Sequence, residues 1–196
     1  VRTEEGRLGL FFVETGANVA STLAYTARKH PDITCLSCEP GETAFQKALE
    51  NTEGLENISL YNLASPGVFE VLLEEHPDLR NNPALFWLDA HCWGFQWPLK
   101  DEIRFVTSHF KQAFILIDDF QVPGRDQFYY FKNEDRPCSF EYIREAMMTN
   151  DYRLFYPSYS DKTSEHHPLT GWGLIVLGDP GFKVPEQLSG KIEEVK

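Results

Sequence analysis

Asp118 and Asp119 stand side by side directly after five apolar residues, in AFILIDDF. The same arrangement recurs elsewhere in the chain. ALFWL runs into Asp89 and His91, TCLSC into Glu39, LFFV into Glu14, Thr15 and Gly16, and ISLYNL carries Asn62 near its end with Ser65 close behind. Carboxylates and an imidazole gathered in one place can take a proton, accept hydroxyl donors or hold a cation. An unperturbed histidine titrates at about pH 6.5, so His91 suits proton transfer at neutral pH. Carboxylates crowded together raise one another's pKa values.

Such a gathering needs elements that end on a common rim. Apolar runs at residues 8–13, 33–38, 58–63, 84–88 and 113–117 read as strands buried on both faces. Segments 20–30, 42–51, 68–76, 99–110 and 140–148 read as helices between and after them, with Ser65-Pro66 placed as cap and first-turn proline of the third. Segments 152–157 and 171–177 close the chain as two further strands, and the charged residues 180–196 are expected to fray. The fold class that follows is α/β. It is Rossmann-like and doubly wound, a mostly parallel seven-stranded sheet with a C-terminal antiparallel strand pair and helices on both faces, over 1–196 as one domain. In such sheets ligands bind beyond the carboxyl ends of the strands.

The segment ETGANVAST carries a turn of the nucleotide-binding kind. Gly16 permits a tight bend, Asn18 tolerates a left-handed backbone, and Ala20 is small enough for the helix to lie on the sheet. Ser21 and Thr22 open that helix, whose free N–H groups favour an anion. Glu39 lies at the end of the second strand, where a carboxylate accepts ribose hydroxyls. There is no G-x-x-x-x-G-K, which argues against a triphosphate loop.

The 30 acidic against 18 basic residues give a net charge of -12, the wrong sign for a nucleic-acid or anionic membrane partner. No apolar run reaches the ~20 residues of a membrane span, and 8–13 is too short for a secretory leader. Cys35 and Cys38 form a C-x-x-C inside a strand, where their side chains point to opposite faces. Reduced structural cysteines and a cytoplasmic setting are expected, for Cys92 and Cys138 as well. Trp93, Phe95 and Trp97 form an aromatic wall or loop packing, Phe128, Tyr129, Tyr130 and Phe131 a lid or a contact between copies in a homo-oligomer. Glu165, His166 and His167 lie in the loop before the last strand.

Taken together, these motifs resemble the class I S-adenosylmethionine-dependent methyltransferases over most of the chain. FVETGANVAST is similar to that family's first motif and SCEP to its second. LDAH followed by IDDF resembles the metal-dependent macrocin-O-methyltransferase-like group, and GANV echoes the FkbM-like enzymes. The resemblance implies S-adenosylmethionine held by Glu14, Gly16, Asn18, Ser21, Glu39, Ser65 and Asp89. It also implies Mg²⁺ or another divalent cation on Asp89, Asp118 and Asp119, with Asp89 and His91 catalytic and a sugar or natural-product hydroxyl as acceptor. A hard cation would relieve the carboxylate repulsion and acidify a bound hydroxyl. Three other readings use the same residues: methyl transfer without metal, with Asp89 or His91 as base; a degenerate methyltransferase fold kept as a binding module; and an NAD(P)-dependent oxidoreductase.

Overall fold

The computed structural model describes residues 9–91, 97–159, 169–178 and 183–195. The five apolar runs form the parallel strands β1 (Leu10–Thr15), β2 (Ile33–Cys38), β3 (Ile58–Tyr61), β4 (Ala84–Leu88) and β5 (Ala113–Ile117). They are joined through α1 (Ser21–Lys29), α2 (Glu42–Thr52), α3 (Val68–Glu75) and α4 (Leu99–His109). After β5 come a short hairpin, β6 (Lys132–Asn133) and β7 (Arg136–Pro137), then α5 (Phe140–Ile143). The chain closes with β8 (Tyr152–Pro157), β9 (Gly173–Leu177) and β10 (Ile192–Val195). The main sheet has the order β10-β8-β9-β5-β4-β1-β2-β3. β1 pairs in parallel with both β2 and β4, and β9 is antiparallel to both β5 and β8. Strand order therefore reverses between β1 and β4, which opens a crevice at their carboxyl ends.

Alternate residues of each strand serve different helices. Phe11, Val13, Leu36 and Phe86 pack with Phe69 and Leu72 of α3 and Ile103 and Val106 of α4. Phe12 and Cys35 face the other way, onto Leu23 and Ala27 of α1 and Ala48 of α2. Each large side chain so buried contributes about 1.5–3 kcal/mol, and this two-sided burial is why the strands read as continuous apolar runs. Cys35 and Cys38 sit in opposite clusters with free thiols, as their spacing in a strand requires.

The sheet has eight strands rather than seven, because part of the tail expected to fray forms β10 against β8. Its sequence, IEEV, reads as a solvated charge run. In the structure Arg153 of β8 makes a double contact with Glu194, at 2.7 and 2.8 Å, and Arg125 holds Glu193 at 3.0 Å. Three further differences are local. β1 starts two residues later than the apolar run suggests. The helix expected over 140–148 is α-helical only to Ile143 and continues as a 3-10 turn over Arg144–Ala146. Ser65 does not cap α3, whose cap position is Gly67, and the Ser65-Pro66 peptide is cis.

The approach to β9 is what fixes the end of β5. Phe120 N–H donates to the Gly171 carbonyl at 2.8 Å, and the fully buried Phe120 ring stacks on Tyr156. A Cβ on Gly171 would stand 2.1 Å from the Phe120 carbonyl oxygen. Gly171→Ala must therefore push the segment Asp118-Asp119-Phe120 away, and should lower stability by about 1–3 kcal/mol in urea unfolding. An unchanged midpoint would show that this contact is slack.

Candidate functional site

The turn after β1 is hung on the end of β2. Gly16 and Ala17 both donate their N–H groups to the Cys38 carbonyl, at 3.1 and 2.9 Å, and Asn18 N–H donates to Glu39 Oε2 at 2.8 Å. Gly16, Asn18 and Ala20 all take positive φ, at 78°, 50° and 58°. Gly16 is required twice over, since a Cβ there would lie 2.9 Å from both Ala90 Cα and the Asp89 carbonyl oxygen. Ala20 is fully buried and begins α1 without a side-chain cap. The left-handed Asn18 agrees with the sequence reading, whereas the same conformation at Ala20 gives no sequence signal.

Glu39 is fixed at both oxygens, because Gly41 N–H donates to Oε1 at 2.8 Å. Asn62 Nδ2 binds the Glu39 carbonyl at 2.8 Å and ties in the end of β3. Beside this carboxylate lies a cavity of about 470 Å³. Gly16, Asn18, Glu39, Ser65, Asp89 and His91 all line it. Of the remaining expected cofactor residues, Ser21 is exposed and outside this wall. Glu14 is buried and turned toward the α1 side.

Glu14 instead belongs to the sheet. It sits opposite Ser37 and Trp87 in register. Ser37 Oγ is 3.0 Å from both its Oε2 and its carbonyl oxygen. Burial pushes its carboxyl up to about 8, with Ser37 pulling it back and Asp89 adding repulsion.

His91 and the aspartates form the opposite side of the candidate site. His91 Nδ1 lies 2.8 Å from the Asp89 carbonyl oxygen, which can only accept, so Nδ1 carries a proton. Nε2 lies 3.2 Å from Asp119 Oδ2, and Nδ1 3.6 Å from Asp89 Oδ1. A protonated ring satisfies every one of these contacts. Burial opposes its charge, but the Asp119 and Asp89 contacts outweigh it and raise the imidazole pKa above its ordinary value. Burial, with Asp118 next, pushes Asp89 up to about 7, and His91 pulls it back. Burial likewise raises Asp118, with Asp119 adding to the shift. The Phe131 ring meets the imidazole edge-on at 4.3 Å. Trp97 packs on Phe131 at 5.4 Å and stacks on Tyr142 at 4.3 Å.

The expected metal set is not assembled. Asp118 and Asp119 do not line the cavity, and the imidazole bridges Asp89 and Asp119. Among the described residues no group of three His, Cys, Asp or Glu is arranged to hold a metal ion. Asp119 itself has φ 50°, and its carbonyl accepts from Phe131 N–H at 2.8 Å, so part of the pair's role is to shape this turn. Trp93, Phe95, Glu165, His166 and His167 lie outside the described residues. Sequence reasoning missed Glu102, a fully buried carboxyl bonded to Ser65.

No protein-family model and no curated protein sequence matches the chain. Solved structures do. The O-methyltransferase TomG from Streptomyces achromogenes, involved in tomaymycin synthesis and solved in complex with SAM, superposes with a TM-score of 0.58. The identity is 14% over 86% of this chain and 73% of that one. Precorrin-6y C5,15-methyltransferase from Geobacter metallireducens gives 0.54 at 13% identity, covering 87% and 81%. An rRNA methylase from Streptococcus thermophilus gives 0.51 at 12%, covering 87% and 88%. The fold is thus the α/β, Rossmann-like methyltransferase fold, with a mostly parallel sheet and added antiparallel strands. Among the described residues no helix is long and apolar enough to cross a membrane.

Glu14 offers a test of the electrostatics. Its folded pKa lies above the unfolded value of 4.5, so its contribution is fully present below pH 4.5 and is lost as pH rises through about 8. Glu14→Gln keeps an acceptor for Ser37 and removes that loss. The variant should gain on the wild type between pH 5 and pH 9 in thermal midpoint (approximate limits of the titration window). A gap independent of pH would show that Glu14 does not titrate in this window.

Proposed function

We propose that the chain transfers a methyl group from S-adenosylmethionine to a hydroxyl of a small-molecule acceptor, with Asp89 taking the proton. The observation that carries this reading is Glu39. Two backbone N–H groups orient its carboxylate at the cavity wall, and each oxygen keeps a further lone pair for a ribose hydroxyl. The cavity volume lies in the range of small-molecule sites, about 300–1,000 Å³. The N–H groups of residues 16, 17 and 18 are already committed to Cys38 and Glu39. That leaves the turn poorly supplied with donors for a pyrophosphate, which favours a nucleoside cofactor without phosphates over NAD(P).

When bound, S-adenosylmethionine supplies an electrophilic sulfonium methyl. Glu39 would hold the ribose, Asn18 and Gly16 would bring backbone close to the cofactor, and Ser65 would wall its base end. Asp89 is the best placed to take the acceptor's proton. It lines the cavity, its side chain is 34% exposed against 23% for Asp119, and a pKa of about 7 suits a base at neutral pH. His91 keeps Asp89 and Asp119 in place and offsets their charge without a metal ion. Phe131, edge-on to His91, would border the acceptor, whereas Trp97 is buried behind it and stacks on Tyr142.

Calorimetric titration with S-adenosylhomocysteine tests the reading. Binding in the micromolar range is expected, equally strong with Mg²⁺ and with EDTA. Glu39→Ala should weaken it about tenfold or more and also lower the unfolding midpoint, because the Asn18 and Gly41 N–H groups lose their acceptor. Asp89→Asn should keep that affinity while reducing turnover of a found acceptor by about 10²–10⁴. A wild-type protein that binds no nucleoside would instead be a methyltransferase fold kept as a binding module.

A further inference from the structure

A carboxyl group on the buried face of α4 is expensive. Glu102 is completely buried, while its neighbour Asp101 turns outward to Arg104 at 2.7 Å. The surrounding α4 positions, Leu99, Ile103 and Val106, belong to the apolar core. A leucine would pack there without desolvating a charge, so stability alone does not explain the glutamate. Its Oε1 accepts from Ser65 Oγ at 2.5 Å. Its Oε2 and the Thr15 hydroxyl of β1 are both buried and lack a hydrogen bond of good geometry. Thr15 nonetheless lies close enough to favour the ionised form. Burial pushes Glu102 up to about 7, and Ser65 and Thr15 pull it back.

Ser65 and Ala64 line the cavity, in the turn between β3 and α3. α3 has no side-chain cap, so this turn is not fastened at its own helix. We propose that Glu102 is a positioning residue: from α4 it clamps Ser65 and thereby sets the wall of the cavity that meets the base end of the nucleoside. The assignment of that end rests on the cofactor reading above. The clamp itself rests on the burial of Glu102 and its bond to Ser65.

The test compares Glu102→Leu, Glu102→Gln and Ser65→Ala with the wild type. Three quantities are read: amide exchange at Phe69, whose N–H donates to the Pro66 carbonyl at 3.0 Å, in the free protein, S-adenosylhomocysteine affinity, and the unfolding midpoint. Glu102→Leu should speed exchange at this turn and weaken binding, each about tenfold, whatever its effect on the midpoint. Glu102→Gln keeps an oxygen for the Ser65 hydroxyl and should restore both to within about threefold. Ser65→Ala should reproduce the leucine variant, and combining the two should add little. It also carries the test if Glu102→Leu does not fold. Unchanged exchange and affinity in Glu102→Leu, or a glutamine variant no better than leucine, overturns the clamp. If the wild type binds no nucleoside, the cofactor reading fails, and the exchange data alone decide whether Glu102 holds the turn.

Discussion

Much of the site follows from how the end of β2 receives the turn after β1. Three successive N–H groups, from Gly16, Ala17 and Asn18, end on Cys38 and Glu39. The turn that presents these donors passes through the left-handed region, which Gly16, Asn18 and Ala20 all enter. The curl lets Gly16 press against the backbone at Asp89 and Ala90, and so fixes the distance between the β1 and β4 sides of the crevice. Glu39 is held by the same contacts that its own carboxylate terminates. The binding wall and the fold are therefore one structure.

At the ends of β4 and β5 the organising problem is charge. Asp89, Asp118 and Asp119 converge at the ends of adjacent strands, and all three are partly withdrawn from water. Such a group must gain a cation, gain protons or spread apart. This chain combines the first two. An imidazole spans Asp89 and Asp119, and the raised pKa values of Asp89 and Asp118 make protonation easier. The edge of Phe131 against His91 narrows the space in which the ring could swing away.

The parallel strands, the connecting helices and the closing antiparallel pair were legible in the sequence because each strand is buried on two sides and bounded by turn residues. Asn18 and Glu39 were legible because their backbone and end-of-strand positions limit the residues that serve there. Other features were hidden by the same local logic. IEEV carries no apolar alternation, since its partners are arginines far away in sequence. Ser65 before a proline has the form of a helix cap, and only the three-dimensional approach of α4 shows that its hydroxyl is directed to Glu102. Glu102 resembles an ordinary first-turn acid beside Asp101; the signal that separates them is helical spacing, which puts Glu102 with Leu99, Ile103 and Val106 on the apolar stripe and Asp101 off it. The expected cation site rested on three aspartates sharing a rim. In the structure an imidazole lies between two of them, and among the described residues no group of three His, Cys, Asp or Glu is arranged to hold a metal ion.

The opposed thiols of β2 have a practical consequence. Cys35 is sealed beneath α1 and α2, whereas Cys38 belongs to the cluster under α3 and α4 and also borders the cavity. The molecule thus carries an intrinsic pair of chemical reporters, one for each helical layer. A thiol reagent that reached Cys35 first would register peeling of the α1–α2 layer, while modification of Cys38 would register opening of the other layer or access through the crevice. The order in which the two are modified would therefore distinguish which side of the sheet breathes.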